Sequence, residues 1–161
     1  MRKGDILFVQ GKGIISKVIR IFDKGKFTHC AIAISDSEVI EANYDTKVAI
    51  RSFDPKKYKE IEVLDLGLNE HQRQKVYISA MEQLGKRYDY LSLMWYVIRK
   101  IFRLRGKNRL NNPNHVICSE LVFIALDKSG ALKDLGIEQG FNRGIDLTPN
   151  ELYDLVKYIS K

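Results

Sequence analysis

The chain predicts an α+β domain in which a small sheet is laid down first and helices are added to it. Strand-like apolar runs crowd the first 66 of 161 residues, and helical spacing dominates the remainder. Composition points to a globular unit: 45% of residues are apolar and 29% charged, which argues against a disordered chain. No repeat, low-complexity tract or Pro/Ser-rich linker interrupts the sequence, so 1–161 reads as a single domain. A chain of this size buries about two-thirds of its unfolded surface.

Ile6 to Val9 opens as a short strand. Ile14, Ile15, Val18, Ile19 and Phe22 then recur at helical spacing with Gly25 beyond them, predicting a short amphipathic helix. Further strands are expected at 29–34, 39–43, 47–51 and 60–66, punctuated by Ser35-Asp36-Ser37, Tyr44-Asp45 and Asp54-Pro55. Asn69 is a good N-cap with Gln72 three residues on. Val76, Tyr77, Ala80, Met81 and Leu84 form one helical face that Gly85 stops. Leu91 to Leu104 reads as another helix. Cys118, Leu121, Val122, Ala125 and Leu126 line one side of a helix ending near Gly130. Thr148-Pro149-Asn150-Glu151 combines a capping box with proline at the first helical position, and Leu152, Leu155, Val156 and Ile159 follow.

The net charge of +7 favours anionic partners such as membrane phosphate, cell-wall polymer or nucleic acid, although a solvated basic face gives the same total. Base-reading motifs are missing and aromatics are not interleaved with the basic residues, which argues against nucleic acid. Only five apolar-rich positions separate Asp5 from Gly11, too few for a secretory core, and Leu91 to Ile98 falls short of a membrane span. Two cysteines do not make a disulfide framework. A cytoplasmic, reducing setting is therefore expected.

Cys118 opens its helix, where free N–H groups and the positive dipole end favour thiolate over thiol. The alternative is a small core hydrophobe, since it also shares the Leu121/Val122/Ala125 face. Cys30, in mid-strand, is assigned to packing. Of three histidines, His71 falls in the first turn of a surface helix and His115 in the loop before Cys118. His29 stands in a strand, whose backbone fixes a side chain better than a loop does. A base acting on a thiol needs a third group to hold its tautomer, and Glu41, across an expected hairpin from His29, is the candidate. The two share a sheet face only if a three-residue loop at 35–37 sets Ala31 opposite Glu41. A two-residue loop at 36–37 separates them and leaves Glu41 a solvated strand residue.

Five segments together carry a resemblance. Gly4-Asp5-Ile6-Leu7-Phe8, Thr28-His29-Cys30-Ala31-Ile32, Glu41-Ala42-Asn43, Gly85-Lys86-Arg87-Tyr88-Asp89 and Cys118-Ser119-Glu120-Leu121-Val122 occur in that order over nearly the whole chain. The chain thereby resembles circularly permuted NlpC-type papain-like cysteine hydrolases of the YaeF/YiiX amidase group. Papain-like enzymes usually run Cys, His, polar residue; here the order is His29, Glu41, Cys118, as in the permuted group. The resemblance implies a small antiparallel, partly barrel-like sheet packed against the nucleophile helix. It implies nucleophile Cys118, base His29, orienting residue Glu41, and Tyr88 near the site as a substrate contact. The thirty residues from Tyr88 to Cys118 read as a basic amphipathic insertion at about 91–112.

The expected activity is cleavage of an amide in a peptide, cell-wall stem or isopeptide, with no cofactor and no metal. Adjacent His29 and Cys30 point to opposite faces of a strand, so they do not easily converge on zinc. Arg99 to Arg109, mixed with Trp95, Ile101 and Phe102, is the pattern of a membrane-surface element, or else a core helix followed by a solvated basic loop. The G-D-[apolar] and H-x-A-I pieces are also similar to lecithin:retinol acyltransferase-like proteins. Acyl-ester hydrolysis or transfer at a membrane is thus the second expectation. A non-catalytic binder of an anionic partner is the third.

Overall fold

A computed structural model describes residues 1–43, 47–89, 114–134 and 147–159, together with positions 95 and 136. The helix expected over 91–104 and the basic segment 99–109 lie outside these residues, apart from position 95. Five strands form one antiparallel sheet: β1 (Ile6–Gly11), β2 (His29–Ala33), β3 (Glu38–Glu41), β4 (Ala49–Ser52) and β5 (Tyr58–Leu64). Their order across the sheet is β4-β3-β2-β1-β5. The described helices are α1 (Ile14–Asp23), α2 (Glu70–Met81), α3 (Cys118–Lys128), the short α4 (Ala131–Asp134) and α5 (Pro149–Ile159). The domain is α+β, as its segregated pattern predicts.

The sheet does not close, which corrects the expectation of a partly barrel-like one. β4 and β5 are neighbours in sequence yet occupy opposite edges. Only the stretch from Phe53, with a 3-10 turn at Pro55–Lys57, joins them. The Asp54 side chain accepts from the Lys56 N–H at 3.0 Å, and Phe53 stacks on Tyr58 with ring centroids 5.5 Å apart. Aromatic stacking thus braces this short connection between the two edge strands.

Strand alternation assigns the faces. Ile6, Phe8, Cys30, Ile32 and Ile40 point into the main core with Val76, Leu121, Leu126 and Leu152 of the helices. Leu7, Ala31, Ala33 and Val39 form a smaller cluster on the other face, with Met1 and Phe53 packed on it. β1 is consequently buried on both sides.

Helix ends follow the sequence signals. Asn69 and Gln72 form a reciprocal capping box at 3.0 and 2.9 Å. Thr148 and Glu151 form another at 3.2 and 2.9 Å. α1 ends at Asp23, with Gly25 beyond it as expected; Lys24 takes the left-handed conformation at φ 54° and bonds back to the Arg20 carbonyl. Two short strands escape the sequence reading. β6 (Arg87–Tyr88) and β7 (His115–Val116) pair in parallel, Tyr88 opposite Val116. The chain thus leaves at Tyr88 and returns beside it, two residues before Cys118.

Arg73 of α2 ties the helices to the sheet. Its guanidinium donates to Asp5 at 2.7 Å, to the Lys3 carbonyl at 2.9 Å and to the Leu68 carbonyl at 3.0 Å, and it pairs with Asp65. Gly4, at φ +86°, lets the backbone pass close to Arg73; a Cβ there would sit 3.3 Å from its Cγ. No described helix is long and apolar enough to cross a membrane.

Candidate active site

The hairpin between β2 and β3 sets the first part of the site. Ile32 pairs with Ile40 and Ala33 with Val39, an even-summed register, and the Ile34 N–H bonds to the Glu38 carbonyl across a loop at 35–37. Continued by one residue past Ile32 and Ile40, this register puts Ala31 opposite Glu41 and leaves His29 on the same face. His29 Nε2 meets Glu41 Oε2 at 2.6 Å. Arg51 Nε, also on that face through its pairing with Val39, lies 3.3 Å from the second Glu41 oxygen. Asn43 Nδ2 donates to that oxygen at 3.5 Å. The carboxylate is almost sealed from solvent, with a side chain only 6% exposed.

The start of β2 is held from two sides. Asn150, in the first turn of α5, accepts from the Phe27 N–H and donates to the Phe27 carbonyl, both at 2.8 Å. This copies a strand partner's pattern. The Thr28 hydroxyl accepts from the Gly11 N–H at 2.9 Å. Phe27 packs against Phe8 and Tyr153 at 5.6 and 4.7 Å between centroids. His29 thus begins β2 from a backbone clamped on both flanks.

Cys118 is the first residue of α3. The Glu120 carboxylate accepts from the Ile117 N–H at 3.0 Å, a half capping box, since Ile117 has no acceptor to return. Cys118 is 5% exposed and abuts the end of β2, where its sulfur interacts with both His29 and Cys30. Two residues that alternate along a strand can both reach it because the thiol sits at the strand's end rather than over one face. The Cys30 S–H and N–H donate to the Cys118 sulfur and, with the His29 charge, hold its pKa well below the ordinary thiol value against the opposing effect of burial. Burial pushes the Cys30 thiol up, and the Cys118 charge adds to this.

His29 responds in the complementary sense. Burial disfavours its charge, but the Cys118 sulfur and the Glu41 carboxylate outweigh burial and raise its pKa to about 10. Glu41 is lowered: burial opposes ionisation, while His29, Arg51 and Asn43 favour it more strongly. The shifts favour the charged forms along a chain of Cys118, His29 and Glu41, with the Arg51 guanidinium beside the carboxylate.

A cavity of about 200 Å³ opens beside His29. It is lined by Ser16 and Ile19 of α1, by Thr28, His29 and Asn43, by Lys57, Tyr58 and Tyr88, and by Gly11 and Gly13. A Cβ at Gly11 would collide with the Ser16 hydroxyl, so glycine keeps this corner open. Tyr88, singled out in the sequence, lines this cavity together with His29. His115 lines a different cavity, with Leu84 and Lys86, and His71 is exposed on α2. Neither joins the cluster.

Sequence reasoning missed three participants. Arg51 and Tyr58 lie on strands that meet Glu41 or the cavity only through sheet pairing, and no motif flags them. Tyr58 is pushed up to about 12, by burial first and then by the nearby Glu41 and Asp54 charges. Cys30 does pack in the core as expected, fully buried, but it also touches the candidate nucleophile.

Among the described residues, no group of three or more His, Cys, Asp or Glu side chains is arranged to hold a metal ion. No protein-family model matches the chain, and no curated protein does. A solved structure is similar to it: the crystal structure of metalloprotein YiiX from Escherichia coli O157:H7, 21% identical over 95% of this chain and 92% of that one, with a TM-score of 0.53. At that identity the likeness concerns architecture, and the fold of this chain is YiiX-like.

Proposed function

We propose that this chain is a thiol-dependent hydrolase of the permuted papain-like kind, cleaving an amide through a Cys118 acyl-enzyme. The observation that carries the reading is the 2.6 Å contact between His29 Nε2 and Glu41, made while the same ring engages the Cys118 sulfur. With Nε2 committed to the carboxylate, Nδ1 is the nitrogen left to exchange a proton with sulfur.

The electrostatics supports a sequence of steps. The Cys118 thiolate attacks the substrate carbonyl carbon and forms a C–S bond. The Cys118 N–H, at the start of α3, donates to the developing oxyanion. Forming that bond removes the thiolate charge that raised the His29 pKa, so the imidazolium becomes a stronger acid at the moment the leaving amine needs a proton. The C–N bond breaks as that proton transfers. Water then attacks the thioester, giving its proton to His29, and the acid leaves with the thiolate restored. Glu41 orients the ring and stabilises its charged form throughout, and Tyr88 contacts the bound substrate from the cavity wall.

Acyl-ester hydrolysis or transfer is a second reading, favoured by Ile19, which gives the cavity an apolar wall next to His29. Incubation with p-nitroanilide and p-nitrophenyl acyl substrates, with intact-mass detection of an acyl adduct, tests both. An adduct on Cys118 that forms with the wild type, vanishes in Cys118→Ala and slows about a hundredfold or more in His29→Ala supports the proposal. A chain that binds such compounds without any adduct or turnover is a non-catalytic binder instead.

A further inference from the structure

α1 presents an apolar stripe to solvent. Ile14, Val18 and Ile21 fall on one stripe and are 79%, 39% and 69% exposed. In a helix that serves a core, such a stripe points inward. Here the edge of the helix carrying Ser16 and Ile19 faces the protein, at the cavity beside His29.

The flanks say what would cover this stripe. Lys12, Lys17, Arg20 and Lys24 are all exposed around it. Asp23 is the one acid from Lys12 to Lys24, and it is bonded to Asn150. Apolar residues beside a cationic rim complement an anionic bilayer: the isoleucines enter the acyl boundary while lysine and arginine meet the phosphates. A second copy of the chain is a poorer fit. A two-fold pairing through α1 would set the same four cations against themselves.

We propose that α1 is an interfacial docking helix for anionic membranes, distinct from the basic segment 99–109. The inference stands on the exposure and charge of α1, independently of any hydrolase chemistry.

Flotation with phosphatidylcholine vesicles, with and without phosphatidylglycerol, provides the test. The protein is expected to float with the anionic vesicles, less so in high salt, and to remain behind with the neutral ones. Ile14→Ser/Ile21→Ser should reduce anionic-vesicle partitioning about tenfold or more. Lys17→Glu/Arg20→Glu should reduce it by a similar factor. These positions are exposed, so circular dichroism and the alkylation rate of Cys118 without vesicles should match the wild type. Wild-type partitioning by the isoleucine variant, or no flotation at all, would overturn the proposal. A concentration-dependent dimer that Ile14→Ser/Ile21→Ser abolishes, without vesicle binding, would assign the stripe to a second copy and overturn it too.

Discussion

Two buried ionic clusters hold this molecule together, and they are built to opposite ends. Around Arg73, a permanently charged guanidinium is saturated by Asp5, Asp65 and two backbone carbonyls. Its pKa is raised further: burial opposes the charge, and the two aspartates more than compensate. No proton in that cluster has anywhere to go. Around His29, the thiol, the imidazole and the Glu41 carboxyl can each change charge, and each shift depends on the neighbouring group. Remove the thiolate and the imidazolium loses much of its support; remove the carboxylate and both weaken. A saturated cluster gives rigidity, whereas a chain of mutually dependent protons gives reactivity.

Substitutions should separate these roles. Arg73→Ala leaves the Asp5 carboxylate, 4% exposed, without its guanidinium. Breaking a buried pair in this way costs about 3–5 kcal/mol. The urea midpoint should fall accordingly, while alkylation of Cys118 in the protein that remains folded proceeds at the wild-type rate. A large change in that rate with little loss of stability would show the two clusters to be coupled.

Glu41→Gln should do the reverse. The amide can still accept from His29, so packing is kept, but the counter-charge to His29 and Arg51 is gone. His29 should become a weaker base, and the Cys118 pKa should rise toward the ordinary thiol value, so that the acid limb of its alkylation profile moves to higher pH. Stability follows the sign of the Glu41 shift. Because its folded pKa is lowered, its contribution is present above the ordinary carboxylate pKa and lost as pH falls through the folded one. The wild type should therefore lose this increment in acid, and Glu41→Gln should lack it at neutral pH. Alkylation of Glu41→Gln at the wild-type rate would contradict the role given to the carboxylate.

Much of the site was readable before any coordinates, for specific reasons. Local signals held best: Asn69 with Gln72, and Thr148 with Glu151, are caps closed within one helical turn. The His29–Glu41 pairing was readable as a condition on loop length, because strand period makes register and face equivalent. What escaped depended on distant partners. β6 and β7 are two residues each and pair across the segment between Asp89 and Asn114, so neither shows alternation. Cys30 gave no sign of reaching Cys118, since an ideal strand turns it away from His29, and only the placement of α3 at the strand's end brings all three together. Periodicity announced that α1 is amphipathic but could not say which way its apolar stripe would face. The open sheet follows from β5 pairing with β1 rather than β4, a choice no local pattern encodes.

The central claim is that Cys118 is held as a thiolate by a protonated His29, and the pH dependence of its alkylation by iodoacetamide tests this most directly. Mass mapping reports Cys118 and Cys30 separately. The account predicts a Cys118 rate already at its plateau at neutral pH, falling only on acidification, with Cys30 slow throughout. In His29→Ala the rate should climb with pH like an ordinary thiol, about tenfold per unit up to a pKa near 8.5. A wild-type Cys118 that climbs in the same way, or one whose profile is unchanged by His29→Ala, would contradict the account.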